Sequence, residues 1–116
     1  MKVLVVDDDA GARDVARSVL ESAGHEVEVV STGRDAVDAY RRRPADVVLL
    51  DVLMPDQDGI ETLRELRRIA PDARIVAMTG GDDVHLRSAR LLGATEVLRK
   101  PYRVADLLRV TRAAKR

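Results

Sequence analysis

The chain has no cysteine, no phenylalanine and no tryptophan, and its only aromatic rings besides histidine are Tyr40 and Tyr102. The missing cysteine excludes disulfides, thiolate zinc sites and cysteine nucleophiles. With so few large rings, a core has to be built from aliphatic side chains. Long apolar runs are missing too, and nothing approaches the ~20 residues of a membrane span. The apolar stretch after Lys2 closes at once on Asp7-Asp8-Asp9, which is too short for a secretion signal and carries the wrong following charge. Net charge is absent as well, since 20 basic and 20 acidic residues cancel. No global field therefore draws the chain to nucleic acid or to a membrane surface. His25 and His85 have no second ligand at metal spacing and read as surface residues. Lysine is scarce, with three against seventeen arginines, so Lys100 is more informative than any single arginine. The expectation is a cytoplasmic globular domain.

What is present is a regular alternation. The 116 residues, 46% hydrophobic and 34% charged, suit one domain over residues 1–116 with a single core. Val3–Val6, Val47–Leu50 and Ile75–Met78 are continuously apolar, as strands buried on both faces are. Glu26–Val29 alternates, and Glu96–Arg99 has polar ends, so these two read as edge strands. Helical spacing predicts five helices between and after them. Their inward sets are Ala12, Val15, Ala16, Val19, Leu20 and Ala23; Ala36, Val37 and Tyr40; Ile60, Leu63 and Leu66; Leu86, Ala89 and Leu92; and Val104, Leu107, Leu108 and Thr111. Gly24, Pro44, Pro71 and Gly93 are the expected stops. Asp9 reads as a solvated residue or the cap of the first helix; the other caps expected are Ser31 or Thr32 for the second, Asp56 and Asp58 for the third, and Asp82 or Asp83 for the fourth. Lys2, Lys115 and Arg116 read as terminal charges, and Arg41-Arg42-Arg43 as a solvated helix end favourable to the dipole.

Five β/α units in series imply a parallel sheet with right-handed crossovers and helices on both faces. Three interior and two edge strands fit a flavodoxin-like three-layer sandwich, strand order 2-1-3-4-5, with five helices. In that order the first and third strands are neighbours whose helices depart to opposite faces, leaving a crevice between Asp7-Asp8 and Asp51.

Carboxylates gathered there suit a hard divalent cation. Mg²⁺ takes oxygen ligands and keeps several waters, so Asp8 and Asp51 suffice as direct ligands, with Asp7 through water and a backbone carbonyl from the loop after Asp51. Asp51, held ionised, can attack phosphorus and become an aspartyl phosphate. Phosphoryl transfer needs positioning and positive charge more than covalent help. Lys100 provides charge, and Thr79 offers a hydroxyl, aided by the amides of Gly80 and Gly81.

With those residues assembled, the chain resembles the receiver domain of bacterial two-component response regulators, chemotaxis receivers included, over essentially its whole length. The matching stretches are Val3–Asp9 with Arg13, Asp51-Val52-Leu53-Met54-Pro55 with Asp58-Gly59, Met78-Thr79, and Lys100-Pro101-Tyr102. The resemblance implies that Asp51 is the phospho-acceptor. It implies Mg²⁺ (or Mn²⁺) held by Asp8, Asp51 and the Leu53 carbonyl with Asp7 assisting, Lys100 paired with the phosphoryl group, Thr79 as switch hydroxyl and a cis Lys100–Pro101 bond. It further implies a regulatory domain that assists its own phosphorylation and dephosphorylation, not an enzyme acting on a separate substrate. The implied partners are a sensor histidine kinase or histidine phosphotransfer protein, and a downstream protein or a C-terminal output domain. No direct nucleic-acid or membrane contact is implied, and a phosphorylation-dependent homodimer is admitted. The output face implied is the fourth helix, fifth strand and fifth helix, with Arg87, Arg90, Arg99 and Arg103.

The sequence departs from the family at Val97, where an aromatic switch partner is common; Tyr102, beyond the proline, matches an aromatic that packs. Leu53 and Gly81 stand two residues beyond Asp51 and Thr79, where family members tune dephosphorylation, and neither positions a water through a polar side chain. Two other functions stay in view: a degenerate receiver that binds partners without phosphorylation, and a small Mg²⁺-dependent phosphohydrolase. The second would need an acid/base carboxylate two residues after the nucleophile, the place of Leu53.

Overall fold

A computed structural model describes residues 1–53, 59–80 and 83–112, with the backbone only for 83–86. The expected caps Asp56, Asp58 and Asp82, the Met54-Pro55 stretch, the Gly81 amide, Lys115 and Arg116 lie outside the described residues, as do the side chains of Asp83, His85 and Leu86.

Strands and helices alternate: β1 (Lys2–Val6), α1 (Ala10–Ser22), β2 (Glu26–Val30), α2 (Gly33–Arg42), β3 (Val47–Asp51), α3 (Gly59–Ile69), β4 (Arg74–Thr79), α4 (Asp83–Leu91), β5 (Glu96–Arg99) and α5 (Val104–Arg112). All strand pairs are parallel, in the order β2-β1-β3-β4-β5. The apolar runs are the interior strands: β1 and β3 are buried at every position, whereas β2 is half-exposed along its length. This is the expected order, and it follows from which strands can bear burial on both faces.

Alternation along the strands divides the core into two layers. Leu4, Val6, Val48, Leu50, Ile75 and Ala77 meet Ala36, Ala39, Leu63, Leu66 and Ala89 of α2, α3 and α4, with Val97 packed against them. On the other face Val3, Val5, Val47, Leu49, Val76, Met78 and Leu98 meet Ala16 and Leu20 of α1 and Leu107 and Val110 of α5. Tyr102 packs against this second layer.

Local signals act as their chemistry dictates. Asp9 caps α1 by accepting from the Ala12 amide, and Thr32, not Ser31, caps α2 by accepting from the Asp35 amide. Gly24 and Gly93, each just past a helix, take positive φ values of 91° and 112°. The Lys100–Pro101 bond is cis.

Several expectations are corrected. Val15 is 56% exposed and Val104 53% exposed, and Ala23 is also exposed, because the buried stripes of α1 and α5 are narrower than the run of apolar residues. Lys2 is no solvated terminal charge. It is 9% exposed, and its ammonium pairs with Glu28 at 3.0 Å while donating to the Arg43 carbonyl at 3.2 Å. The hydrogen bond from Lys2 holds the Glu28 carboxyl below its usual range. The three arginines at the end of α2 are exposed, as expected of a solvated helix end, and each also meets a carboxylate: Arg41 that of Glu65, Arg42 that of Glu28 and Arg43 that of Glu26.

One arginine with no sequence signal ties three segments together. Arg67, near the end of α3, donates from Nη1 to the carbonyls of Ala70 (3.3 Å), Pro71 (3.0 Å) and Ala73 (2.8 Å). Nε and Nη2 both reach the Gly93 carbonyl, at 3.0 and 2.6 Å, and Nη2 also reaches Thr95 Oγ1 at 3.2 Å. The guanidinium thus satisfies carbonyls at the end of α3 and fastens the α4–β5 turn to them. Arg67→Met, which keeps the stem and removes the donors, should lower unfolding free energy by about 2–3 kcal/mol in urea titrations. Arg68→Met, whose exposed head pairs among the described residues only with Glu65, should leave the midpoint nearly unchanged; equal behaviour of the two variants would refute the role of Arg67.

Candidate functional site

The parallel register delivers Asp7, Asp51, Thr79 and Lys100 to one edge of the sheet. Asp7 follows β1, Asp51 ends β3 and Thr79 ends β4. Lys100 follows β5, and its amide donates to the Thr79 carbonyl at 2.7 Å. Helices α1 and α3 leave β1 and β3 for opposite faces, so the crevice between Asp7 and Asp51 lies at the topological switch point, where open α/β sheets bind ligands.

Asp7 and Asp51 are buried, at 1% and 6% exposure, and Asp8 is exposed. One carboxylate oxygen from each of the three lies within 4.8 Å of the others. The Lys100 ammonium stands between the buried pair, 2.7 Å from Asp7 Oδ2 and 3.3 Å from Asp51 Oδ2. The remaining oxygens are held by backbone: Asp7 Oδ1 accepts from the Asp9 amide at 3.0 Å, and Asp51 Oδ1 from the Leu53 amide at 2.9 Å.

Burial pushes the Asp51 carboxyl above its ordinary value, the nearby charge of Asp7 adds to this, and the Leu53 amide and Lys100 oppose it without cancelling it. For Lys100 burial works downward, but the hydrogen bond to Asp7 and the charges of Asp51 and Asp7 outweigh it and raise its pKa. Burial likewise raises the Tyr102 phenol.

Gly59 fixes the far wall. A Cβ on it would lie 2.4 Å from Val52 Cα and 2.6 Å from the Val52 carbonyl oxygen, so the first turn of α3 rests on the backbone just after Asp51. The Val52 amide in turn donates to the Met78 carbonyl at 2.9 Å. In the sequence Gly59 stands out only as part of the family-like Asp58-Gly59 pair; close backbone approach is a reason for glycine that a single sequence does not display. Thr79 is fully buried, and the strand alternation that puts Ile75 and Ala77 in the α2–α3–α4 layer assigns it to the same face as Val97. Leu53 is exposed. Beside Lys100, an apolar hollow of about 470 Å³ is lined by Asp9, Gly11, Ala12, Val15, Pro101 and Tyr102.

The acidic crevice with one ammonium lies on a 2-1-3-4-5 sheet, and comparison with known proteins identifies the family. Residues 3–112 match the response regulator receiver domain family, and the chain belongs to it: it is the receiver domain of a two-component response regulator. A response regulator MprA from Mycolicibacterium vanbaalenii is 40% identical over 114 residues, covering 97% of this chain and 49% of that protein. The chain thus spans about half the length of the curated relatives it matches. Among solved structures, the receiver domain of NtrX from Brucella abortus superimposes with a TM-score of 0.91 at 29% identity, over 97% of this chain and 96% of that one. A CheY-like receiver domain protein from Methanospirillum hungatei gives 0.91 at 26% identity, over 97% and 90%. No helix among the described residues is long and apolar enough to cross a membrane.

The raised Asp51 pKa has a testable sign. The folded state binds the Asp51 proton more tightly than the unfolded chain, so this group stabilises the fold at acid pH and the contribution is lost as pH rises from 3.8 through the folded value. In metal-free buffer, Asp51→Asn should therefore be more stable than wild type near pH 7, the gap closing as the pH is lowered toward 3.8. Urea unfolding with chelator across that range measures it; a variant less stable at neutral pH would contradict the assignment.

Proposed function

We propose that this domain takes a phosphoryl group from a phosphohistidine of a sensor kinase or phosphotransfer protein onto Asp51 in a Mg²⁺-dependent reaction, and that the modification changes which partners it binds. The observation that carries the reading is the juxtaposition of buried Asp51, buried Asp7 and exposed Asp8 within 4.8 Å, with the Lys100 ammonium paired to both buried carboxylates.

The donor set fits the cation. It consists of oxygens alone, it carries more negative charge than Lys100 offsets, and its exposed member faces water, as suits an ion that keeps part of its hydration. Asp8, Asp51 and the Leu53 carbonyl would hold Mg²⁺ (or Mn²⁺), with Asp7 assisting. When bound, the ion neutralises charge on the transferring phosphoryl oxygens.

The chain's own residues do the rest. The Leu53 amide fixes Asp51 Oδ1 and Lys100 fixes Oδ2, so the carboxylate is oriented before a donor arrives. In the transfer the histidine N–P bond breaks, an Asp51 O–P bond forms, and the imidazole leaves with the electron pair. The Lys100 ammonium would then pair with a phosphoryl oxygen, and the Thr79 hydroxyl would donate to another. Hydrolysis returns the carboxylate and inorganic phosphate. The hollow beside Lys100, with Val15 and Tyr102 on its walls, offers apolar footing for the protein that brings the phosphohistidine. Output would pass through the face of α4, β5 and α5, where Arg87, Arg90, Arg99 and Arg103 are exposed, to a downstream protein or an output domain.

Incubation with a small acyl phosphate and Mg²⁺, read by intact mass, should add one phosphoryl group to wild type and none to Asp51→Asn, and chelator should abolish labelling. Absence of labelling in wild type would leave a phosphorylation-independent binding module. Sustained turnover of phosphoesters would make the domain a hydrolase.

A further inference from the structure

Arg13 belongs to the sequence pattern of the site, yet the phosphoryl chemistry leaves it without a task. It lies in the first turn of α1, half-buried, and bonds twice to the loop that carries the acidic residues. Its guanidinium Nη1 donates to the Asp7 carbonyl at 2.8 Å. Its backbone amide donates to the Asp9 carbonyl at 3.0 Å. The second is the ordinary first bond of α1 to its cap residue, so the contact specific to the arginine is the one to the Asp7 carbonyl, immediately before Asp8.

The rest of the loop is held as tightly. Asp7 donates its amide to the Val30 carbonyl at 3.2 Å and uses both carboxylate oxygens, on the Asp9 amide and Lys100. Asp9 spends its own carboxylate on the Ala12 amide. The Asp8 side chain makes no hydrogen bond or ion pair among the described residues. Its direction is therefore set by its backbone, and that backbone hangs from the Asp7–Asp8 peptide, whose carbonyl Arg13 holds.

We propose that Arg13 is a positioning residue for the cation site: by fixing the Asp7 carbonyl it orients the Asp8 carboxylate toward Asp7 and Asp51. The proposal rests on the cation site described above. It runs against simple electrostatics, because a guanidinium beside a divalent cation repels it. Removing the charge alone would tighten metal binding, whereas removing a positioning bond weakens it. The sign of the effect separates the two roles.

Calorimetric titration of the unphosphorylated domain with Mg²⁺ reads that sign, with no phosphotransfer needed. Arg13→Gln should weaken Mg²⁺ affinity about tenfold, the scale of losses when the outer support of a metal ligand is removed. Arg13→Lys keeps the charge and one donor, and should regain most of the affinity. Mg²⁺ binding by Arg13→Gln as tight as wild type, or tighter, would overturn the proposal. So would an Arg13→Lys variant as weak as Arg13→Gln, which would assign the loss to general disruption of the loop; metal-free urea unfolding of both variants accompanies the titrations to expose that case. Failure of wild type itself to bind Mg²⁺ would instead remove the cation site, and the role of Arg13 with it. Asp8→Asn should weaken binding whether or not Arg13 positions Asp8, and so reports on the site alone.

Discussion

Two buried carboxylates share one ammonium at the edge of this sheet, and most of what the domain does depends on that imbalance. Asp7 and Asp51 both approach Lys100, but the contact to Asp7 is shorter, 2.7 against 3.3 Å. Asp51 is therefore the less fully neutralised partner, and burial, with the charge of Asp7 adding to it, raises its pKa although a cation lies beside it. Burying charges of like sign costs free energy unless further partners are found. The fold supplies some of these as backbone amides, from Asp9 and Leu53. The remainder is an affinity for positive charge, and the exposed Asp8 leaves the cluster open to the solution from which such charge can come.

Keeping that imbalance in place requires a rigid frame, and the frame is mostly backbone. Strands β1 and β3 are buried along their length, so the carbon skeletons of Asp7 and Asp51 cannot drift apart without opening the centre of the core. Gly59 lets α3 rest directly on Val52, which pins the chain immediately after Asp51. At the opposite end of the sheet, Arg67 fastens the α4–β5 turn to the end of α3. A disturbance at Thr79 would enter α4 at its start, while its far end is tied down through Gly93.

Much of this was legible before any coordinates. Short apolar runs alternating with helical segments read as parallel strands, and the polar residues that end parallel strands gather at one edge; Asp7, Asp51, Thr79 and Lys100 followed from that geometry. What stayed hidden shares a physical character. Arg67 and Arg13 act on backbone carbonyls, and a carbonyl is present at every position, so no pattern of residue types marks the contact. Lys2 looked terminal because its partners Glu28 and Arg43 are brought near only by β2 pairing and the end of α2. Val15 and Val104 read as core because periodicity counts apolar positions without measuring the width of the groove that must receive them. In each case a side chain meets something that only the assembled chain provides.

The substitution at Val97 bears on how the site speaks to the surface. A β-branched residue has one dominant rotamer in most settings, and Val97 packs in the same layer as Ala89 of α4. It therefore has no large ring to swing between an inward and an outward position. What links the site to β5 here is shorter: the Lys100 amide bonded to the Thr79 carbonyl joins the ends of β4 and β5 directly. On the proposed reading, a phosphoryl group on Asp51 would draw both the Thr79 hydroxyl and the Lys100 ammonium, the two residues that this bond already joins. Lys100 would then exchange part of its contact with Asp7 for the new charge, and the strand that carries it leads straight into α5. Such a response is a small displacement of paired strand ends, not the rotation of a single side chain. It places the energetic difference between the two states in the sharing of Lys100 among three anions, where the domain already keeps its unbalanced charge.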